Sequence, residues 1–315
     1  MSPTVTACEA TTSALAPRTQ FPAGWYPLVH QSEIPERGPL GVQRLGRALV
    51  VWKTARGVHA ADDRCPHRGA RLSLGRIDAD ELRCPYHGFT FGADGRCRRM
   101  PDVGKPAPGL GCRMHEVRSA HGYVWIWAGD GPAVGEPAWY PWLPAGGRRT
   151  LVTEQWRVPL DLAVENAMDH LHLSVVHPDT VGRGVSIDAR VSVTVDDDRV
   201  HAAFDDDGFA EFRWPGLWGT RVSEKLGITI AFAPVSERET LLYLEGHRSF
   251  ATRALLGPLV DLGIRRFHRK ALSQDRPIVT SQRGVDPEVD RLFGSDQAIR
   301  WYRTKLREHG YTRPQ

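Results

Sequence analysis

Short apolar runs broken by turn residues fill the first 130 positions, and longer runs of two different periods fill the rest. Between residues 24 and 60 the chain reads WYPLVH, then Glu36-Arg-Gly-Pro39, then ALVVW, a pattern that predicts antiparallel strands. The stretch 88–100 continues it with FTF, the turn Asp94-Gly95 and another short run, and HGYVWIWA at 121–128 alternates well enough for one more strand. Many short strands punctuated by Gly and Pro predict a small β domain. It runs into the Pro/Gly-rich stretch GDGPAVGEPAWYPWLPAGG at 129–147, read as linker and crossing loop. Beyond it, residues 160–176 form an apolar helix-like run, strand-like runs follow at 185–195, 200–204, 209–214, 220–233 and 240–250, and helical patterns close the chain at 251–283 and 295–309. A sheet followed by a long C-terminal helix predicts an α+β second domain. The division expected is a mobile tail at 1–22, a β domain at 23–146 and a second domain at 147–315.

Candidate chemistry is concentrated at 65–87, where Cys65-Pro-His67 and Cys84-Pro-Tyr-His87 each offer one thiolate and one imidazole. Four such ligands can hold a [2Fe–2S] cluster with both cysteines on one iron and both histidines on the other. This is the Rieske arrangement, whose neutral imidazoles raise the reduction potential above that of an all-cysteine cluster. A structural Cys2His2 zinc site wants the same ligand types, although C-x-H is more cramped than the usual zinc pairs. Gly69 and Gly88 suit tight loops whose backbone can approach a cluster.

The run C-P-H-R-G-A-x-L-x-x-G followed by C-P-Y-H-G-F resembles the Rieske domain of the Rieske non-heme iron oxygenases, and the similarity continues through Phe91, Asp94-Gly95-Arg96-Cys97 and Met100-Pro101. The resemblance covers nearly all of the chain after residue 20. It implies a helix-grip second domain, a curved antiparallel sheet wrapped against the long helix.

A second site is drawn by Glu165-Asn166-Ala-Met-Asp169-His170-Leu-His172-Leu-Ser-Val-Val-His177-Pro178. A mononuclear iron that activates O2 wants two imidazoles and one carboxylate on one face. Asp161, Glu165, Asp169 and His172 also read as a solvated helix stripe. On an unbroken helix His172 and His177 would diverge by about 140°. Pro178 biases His177 away from helical angles, and Ser174 with two valines weakens the turn before it, so a helix end is expected between the two histidines. The run resembles the oxygenase motif N-x-x-D-x-x-H-x4-H through Asn166, Asp169, His172 and His177. That resemblance implies His172 and His177 as iron ligands, Asp169 as a carboxylate bridging toward a Rieske histidine of a neighbouring subunit, and Asn166 beside the iron. His170 has no counterpart as a ligand.

The third ligand is sought in the C-terminal helix. There Val260, Ile264, Phe267, Ala271 and Asp275 step by four, three, four and four, so Asp275 continues an apolar, inward stripe. A buried carboxylate needs a cation or hydrogen bonds; a metal serves, and so would Arg276 or Arg269. Gln274-Asp275 is similar to the acidic pair that supplies the family's last ligand, and Asp261, Asp286 and Glu288 are weaker candidates. The basic run Arg265-Arg266-Phe-His268-Arg269-Lys270 is read as solvent-facing. Phe209, Phe212, Trp214, Trp218 and Phe232 are candidate pocket walls or ordinary core.

Composition narrows the partners. The 315 residues are 41% hydrophobic and 25% charged with a formal charge of +4, and no long basic block argues for nucleic acid. No apolar run reaches the length of a membrane helix. Five cysteines do not read as a disulfide framework; Cys8, Cys97 and Cys112 are left as free thiols, and a reducing cytoplasm is expected. Arg68, Arg71, Arg96, Arg98 and Arg99 surround the cluster loops as a docking rim for an acidic ferredoxin or reductase, or as a solvated one. No flavin or nicotinamide motif is found, so electrons from NAD(P)H are expected through a separate reductase. The resemblance implies a homotrimeric terminal oxygenase carrying a Rieske [2Fe–2S] cluster and mononuclear Fe(II), with O2 as co-substrate. Its length is closest to members that hydroxylate or O-demethylate an apolar or aromatic small molecule. The alternatives are a Rieske electron-transfer protein with an inert second domain, a ring dioxygenase, and a hydrophobic-ligand carrier using the helix-grip pocket with zinc in the first site.

Overall fold

The computed structural model describes residues 21–186, 188, 191–204, 208–282 and 290–314. Most of the expected tail, with Cys8, and the weaker ligand candidates Asp286 and Glu288 lie outside them.

The first half is built of three small antiparallel sheets. One holds Gly24–His30, Tyr123–Ala128 and Val117–Ala120; a second holds Leu40–Arg44, Arg47–Thr54, Gly57–Asp62 and Met114–His115; the third holds Arg76–Asp78, Glu81–Arg83, Thr90–Phe91 and Cys97–Arg99. Sequence patterning found the longest of these strands. It passed over Arg76–Asp78 and Glu81–Arg83, which are too short to show a period.

The second half is one seven-stranded antiparallel sheet in the order Arg148–Trp156, Glu239–Arg248, Leu226–Ser236, Leu217–Ser223, Phe209–Arg213, Arg199–Phe204 and Val191–Val195. Among the described residues, four α-helices complete it: α1 (Leu160–Met168), α2 (His172–Val176), α3 (Gly257–Ser281) and α4 (Gln297–Glu308). The long run at 220–233 is divided between two strands by a turn at Glu224-Lys225. The nine-residue strand Arg148–Trp156 was not expected, because its polar and charged residues obscure the alternation.

The two halves share one apolar core, in which Tyr26, Leu28, Val124 and Ile126 pack with Trp156, Val164, Phe232 and Leu244. Backbone bonds cross the same boundary: the Leu45 amide donates to the Pro234 carbonyl at 2.7 Å and the Gly46 amide to Val235 at 3.1 Å. The Arg44 guanidinium donates to the Tyr243 hydroxyl (2.9 Å), which donates on to Glu33 (2.8 Å).

Helix α3 lies against the edge strand Arg148–Trp156 and is held there by Asp261. Its carboxylate accepts from Arg148 (2.5 Å), Arg248 (2.7 Å) and Thr150 (3.1 Å). Arg148 chiefly, with Arg248 and Thr150, pulls the Asp261 pKa down to about 2. These partners account for Asp261 without a metal.

Because the folded pKa lies below that of an unfolded aspartate, this anchor stabilises the fold above about pH 4 and is lost as pH falls toward 2. Asp261→Ala leaves the fully buried Arg248 without its carboxylate and is expected to cost about 3–5 kcal/mol, read as a fall in melting temperature. Between pH 4 and 2 the melting temperature of Asp261→Asn should fall less steeply than that of the wild type.

Candidate iron centres and the cavity between helix and sheet

The cysteine–histidine loops follow one hydrogen-bonding plan. In the first, the Cys65 amide donates to Ala70 and the Gly69 amide donates to Cys65; in the second, Cys84 donates to Phe89 and Gly88 to Cys84. Gly69 and Gly88 both sit at left-handed angles, φ +76° and +78°, which a side chain would strain. The loops face each other. The Cys65 thiol is pushed up to about 11 by burial and by the neighbouring Cys84, and the His67 and His87 rings stand 4.8 Å apart, edge to face. Both cysteines are buried among Val50, Trp52, Leu72, Leu82 and Phe91, whereas His67 is exposed and His87 half-buried. Two inward thiols and two outward imidazoles fit a cluster whose histidine-bound iron lies nearer the surface. Cys97 is buried in the same apolar group and Cys112 packs against it, with the Cys112 thiol pushed up to about 12 chiefly by burial. Around the rim, Arg68 lies over the Tyr86 ring at 5.6 Å and Arg98 pairs with Asp94 at 2.8 Å.

The second constellation joins α2 to α3. Helix α1 stops at Met168, and α2 begins at His172 and ends at Val176, leaving His177 as a cap with φ −117° and ψ 43°. The expected end between the two histidines is present. A second break at Asp169–Leu171, not foreseen, turns His172 toward α3. There the Asp169 carboxylate accepts from the Leu171 amide at 2.8 Å, closing the turn. The loop after His177 folds back tightly: a Cβ on Gly182 would fall 1.7 Å from the Leu173 carbonyl oxygen.

Ligand atoms of His172, His177 and Asp275 all lie within 4.8 Å of one another. Asp275 Oδ1 is 2.9 Å from His177 Nε2 and 3.5 Å from His172 Nε2, yet it is shielded from solvent and accepts no aligned hydrogen bond. A buried carboxylate oxygen with imidazoles around it and no aligned donor fits a cation between the three. Neither Arg276 nor Arg269 serves Asp275; Arg276 is turned to Glu154 at 2.9 Å, and Arg269 lies on the exposed side of the helix.

The outward nitrogens are held as well. His177 Nδ1–H donates to Gln274 Oε1 (3.1 Å), which also accepts from Thr180 (2.7 Å), and the Gln274 amide donates to Asp179 (2.8 Å). His172 Nδ1 faces Asp169 Oδ2 at 3.4 Å. Burial would push the Asp169 pKa up, but His172 and the Leu171 amide outweigh it and hold it below the ordinary value. Burial would likewise lower His177, and Asp275 with Gln274 reverses this.

The site opens on a cavity of about 700 Å³ between α3 and the sheet. Of the five candidate wall aromatics, Phe212, Trp218 and Phe232 line it. Phe209 points to the opposite face, beside Trp142, and Trp214 packs on Tyr302. Alternation along Phe209–Arg213 sends 210 and 212 inward and 209 outward. Asn166 and His170 line the cavity beside the triad.

On α3 the expected stripe is buried at Ala271 and Asp275, as read from the sequence, but the buried face is rotated part-way off it. Phe267 is 41% exposed, whereas Asp261, His268 and Asp275 are buried. His268, read from its basic neighbours as solvent-facing, is therefore corrected to the sheet side. It lies two turns before Asp275, and that i−7 spacing was the available signal.

Residues 24–119 match the Rieske [2Fe-2S] domain family, and this part of the chain is a Rieske domain. The chain as a whole has the fold of a Rieske non-heme iron oxygenase, terminal component. It superimposes on dicamba monooxygenase bound to dicamba with a TM-score of 0.75 at 23% identity, covering 91% of this chain and 96% of that one. It is 33% identical over 187 residues to a vanillate O-demethylase oxygenase subunit of Pseudomonas sp. (strain HR199 / DSM 7063), covering 56% of this chain and 50% of that protein. It is also 33% identical over 164 residues to the chloroplastic Protein TIC 55 of Arabidopsis thaliana, covering 50% of this chain and 30% of that one. The chain thus spans half or less of the length of these curated relatives.

Gln274→Leu removes the acceptor that fixes the His177 ring and is expected to weaken iron binding at the triad about 10- to 100-fold. Titration of apo protein with Fe(II) under anaerobic conditions reads this directly, and the visible absorption of the cluster should be unchanged.

Proposed function

We propose that the chain is a terminal oxygenase that hydroxylates or oxidatively demethylates an apolar or aromatic small molecule with O2 as co-substrate. One observation carries this reading: His172, His177 and Asp275 form an open two-histidine, one-carboxylate face at an apolar cavity, in a chain that also holds a Rieske domain. A purely structural metal would be closed off by a fourth protein ligand; this face leaves room for oxygen and substrate. The likeness to an O-demethylase subunit and to a monooxygenase favours insertion of one oxygen atom over ring dihydroxylation.

In this reading Cys65, His67, Cys84 and His87 hold the [2Fe–2S] cluster, and His172, His177 and Asp275 hold Fe(II). When bound, the two centres supply stored electrons and oxygen activation. The protein's own groups set the conditions. Gln274 keeps the His177 proton on Nδ1, so that Nε2 presents its lone pair to the metal. Asp169 faces the His172 Nδ1 and, at 31% side-chain exposure, reaches the surface. It can there accept a bond from a cluster imidazole of a neighbouring subunit, which is why we favour a homotrimer. Asn166 stands beside the iron face, and the aromatic wall excludes water from the substrate. Electrons would come from NAD(P)H through a separate reductase or ferredoxin, in the cytoplasm. The division of labour falls between a cluster domain at 23–146 and a catalytic domain at 147–315; Phe21 and Pro22, expected in the tail, are buried against them.

The test is iron and sulfide analysis, followed by one turnover of dithionite-reduced protein with O2 and a panel of methoxy- and methyl-substituted arenes. About three irons per chain are expected, with oxidised product from at least one compound. His172→Ala should retain about two irons and the cluster spectrum and form no product. Product formation by His172→Ala at the wild-type level, or zinc in place of cluster iron, would refute the reading.

A further inference from the structure

Helix α3 buries three ionisable side chains seven residues apart, and two of them are accounted for: Asp261 by its arginines, Asp275 by the triad. His268 is not. It is 4% exposed, lines the cavity, and has no hydrogen bond to either ring nitrogen among the described residues. Its ring rests on the sheet at Gly246, where a Cβ would come within 2.9 Å of Cε1. Gly246 pairs with Thr150 and Ile228 on the flanking strands, so the missing side chain leaves a notch in the sheet that the imidazole fills.

A polar ring buried this deeply without a partner is unfavourable unless something supplies the missing bond. Burial holds its pKa down to about 4, so the ring is neutral at ordinary pH and offers one N–H donor and one acceptor. Among the described residues, the other lining atom away from the triad that is fully shielded and unpartnered, Trp156 Nε1, can only donate. It belongs to the far end of the strand that carries Thr150, six residues along. The guanidiniums on the lining are not alternatives: Arg221 stacks over the Phe209 ring at 4.7 Å on the outer face, and Arg183 is exposed.

We propose that His268 is a specificity-determining residue that binds a neutral hydroxyl, carbonyl or amide substituent of an aromatic substrate, on the side of the ring away from the iron. The proposal rests on the oxygenase reading for the word substrate, but the contact it describes is a binding contact. Seven helical residues place His268 about 10 Å along α3 from Asp275, room for one substituted ring between the two. A carboxylate is the poorer match, since a neutral imidazole compensates no charge.

Equilibrium binding by calorimetry, with metal-loaded protein under anaerobic conditions, tests this without turnover. The probes are 4-methoxyphenol, 4-methoxyacetophenone and 4-methoxybenzamide, each compared with 4-ethylanisole, which lacks the polar group. The wild type should bind at least one polar probe about three- to tenfold more tightly than 4-ethylanisole. His268→Leu should reduce that ratio to below about twofold while still binding 4-ethylanisole. His268→Gln, which keeps an amide donor within similar reach, should restore part of it. Gly246→Ala, which closes the notch, should behave like His268→Leu, and the cluster absorption and melting temperature report that each variant is folded. A wild type without preference, or a preference undiminished in His268→Leu, overturns the proposal. Either result stands independently of product formation in the turnover experiment.

Discussion

A carboxylate oxygen shielded from water and given no aligned donor is the constraint around which the second half of this protein is arranged. Asp275 Oδ1 has imidazole nitrogens at 2.9 and 3.5 Å and makes no hydrogen bond with either. Left alone, such a charge would destabilise the fold by several kcal/mol, order of magnitude; a cation shared with the two imidazoles would remove the penalty. The surroundings hold the three groups at that spacing. Asp261 locks α3 to the arginines of the sheet, Gly182 lets the chain after His177 fold onto α2, and Gln274 fixes the His177 ring from the residue next to Asp275.

The cluster domain solves a different problem with less polar material. Its two loops repeat one hydrogen-bond plan, so the four candidate ligands are presented by backbone geometry and not by packing of long side chains. Thiols face the apolar interior and imidazoles face out, an asymmetry that suits charge entering or leaving through the histidine edge. The apolar core is continuous across the two halves, with backbone bonds from Leu45 and Gly46 to the large sheet. One consequence is that the orientation of the cluster loops relative to the sheet is held by packing and hydrogen bonds together.

The cavity is shaped by alternation on the strands and by the phase of α3. Phe212, Trp218 and Phe232 face it because of strand parity, and the buried face of α3 passes through Asp261, His268 and Asp275. That face shares Ala271 and Asp275 with the stripe that hydrophobicity alone would choose and departs from it at Val260 and Phe267. Polar anchoring of Asp261 outweighs burial of Phe267, which is left 41% exposed.

What the residues alone determined is local: the Cys-x-His and Cys-x-x-His loops with their glycines, the helix end before His177, and the β-rich then α+β order of the chain. These follow from spacing and backbone preference over a few residues, and spacing survives without a fold. The tertiary structure decided which distant groups meet. It brought Asp275 to His172 and His177 across about a hundred positions, assigned Asp261 to arginines and turned His268 inward. It also paired the unforeseen strand Arg148–Trp156 with Glu239–Arg248. Those outcomes depend on how a helix is rotated against a sheet, and a rotation of one residue, about 100°, separates a buried ligand from a solvated side chain.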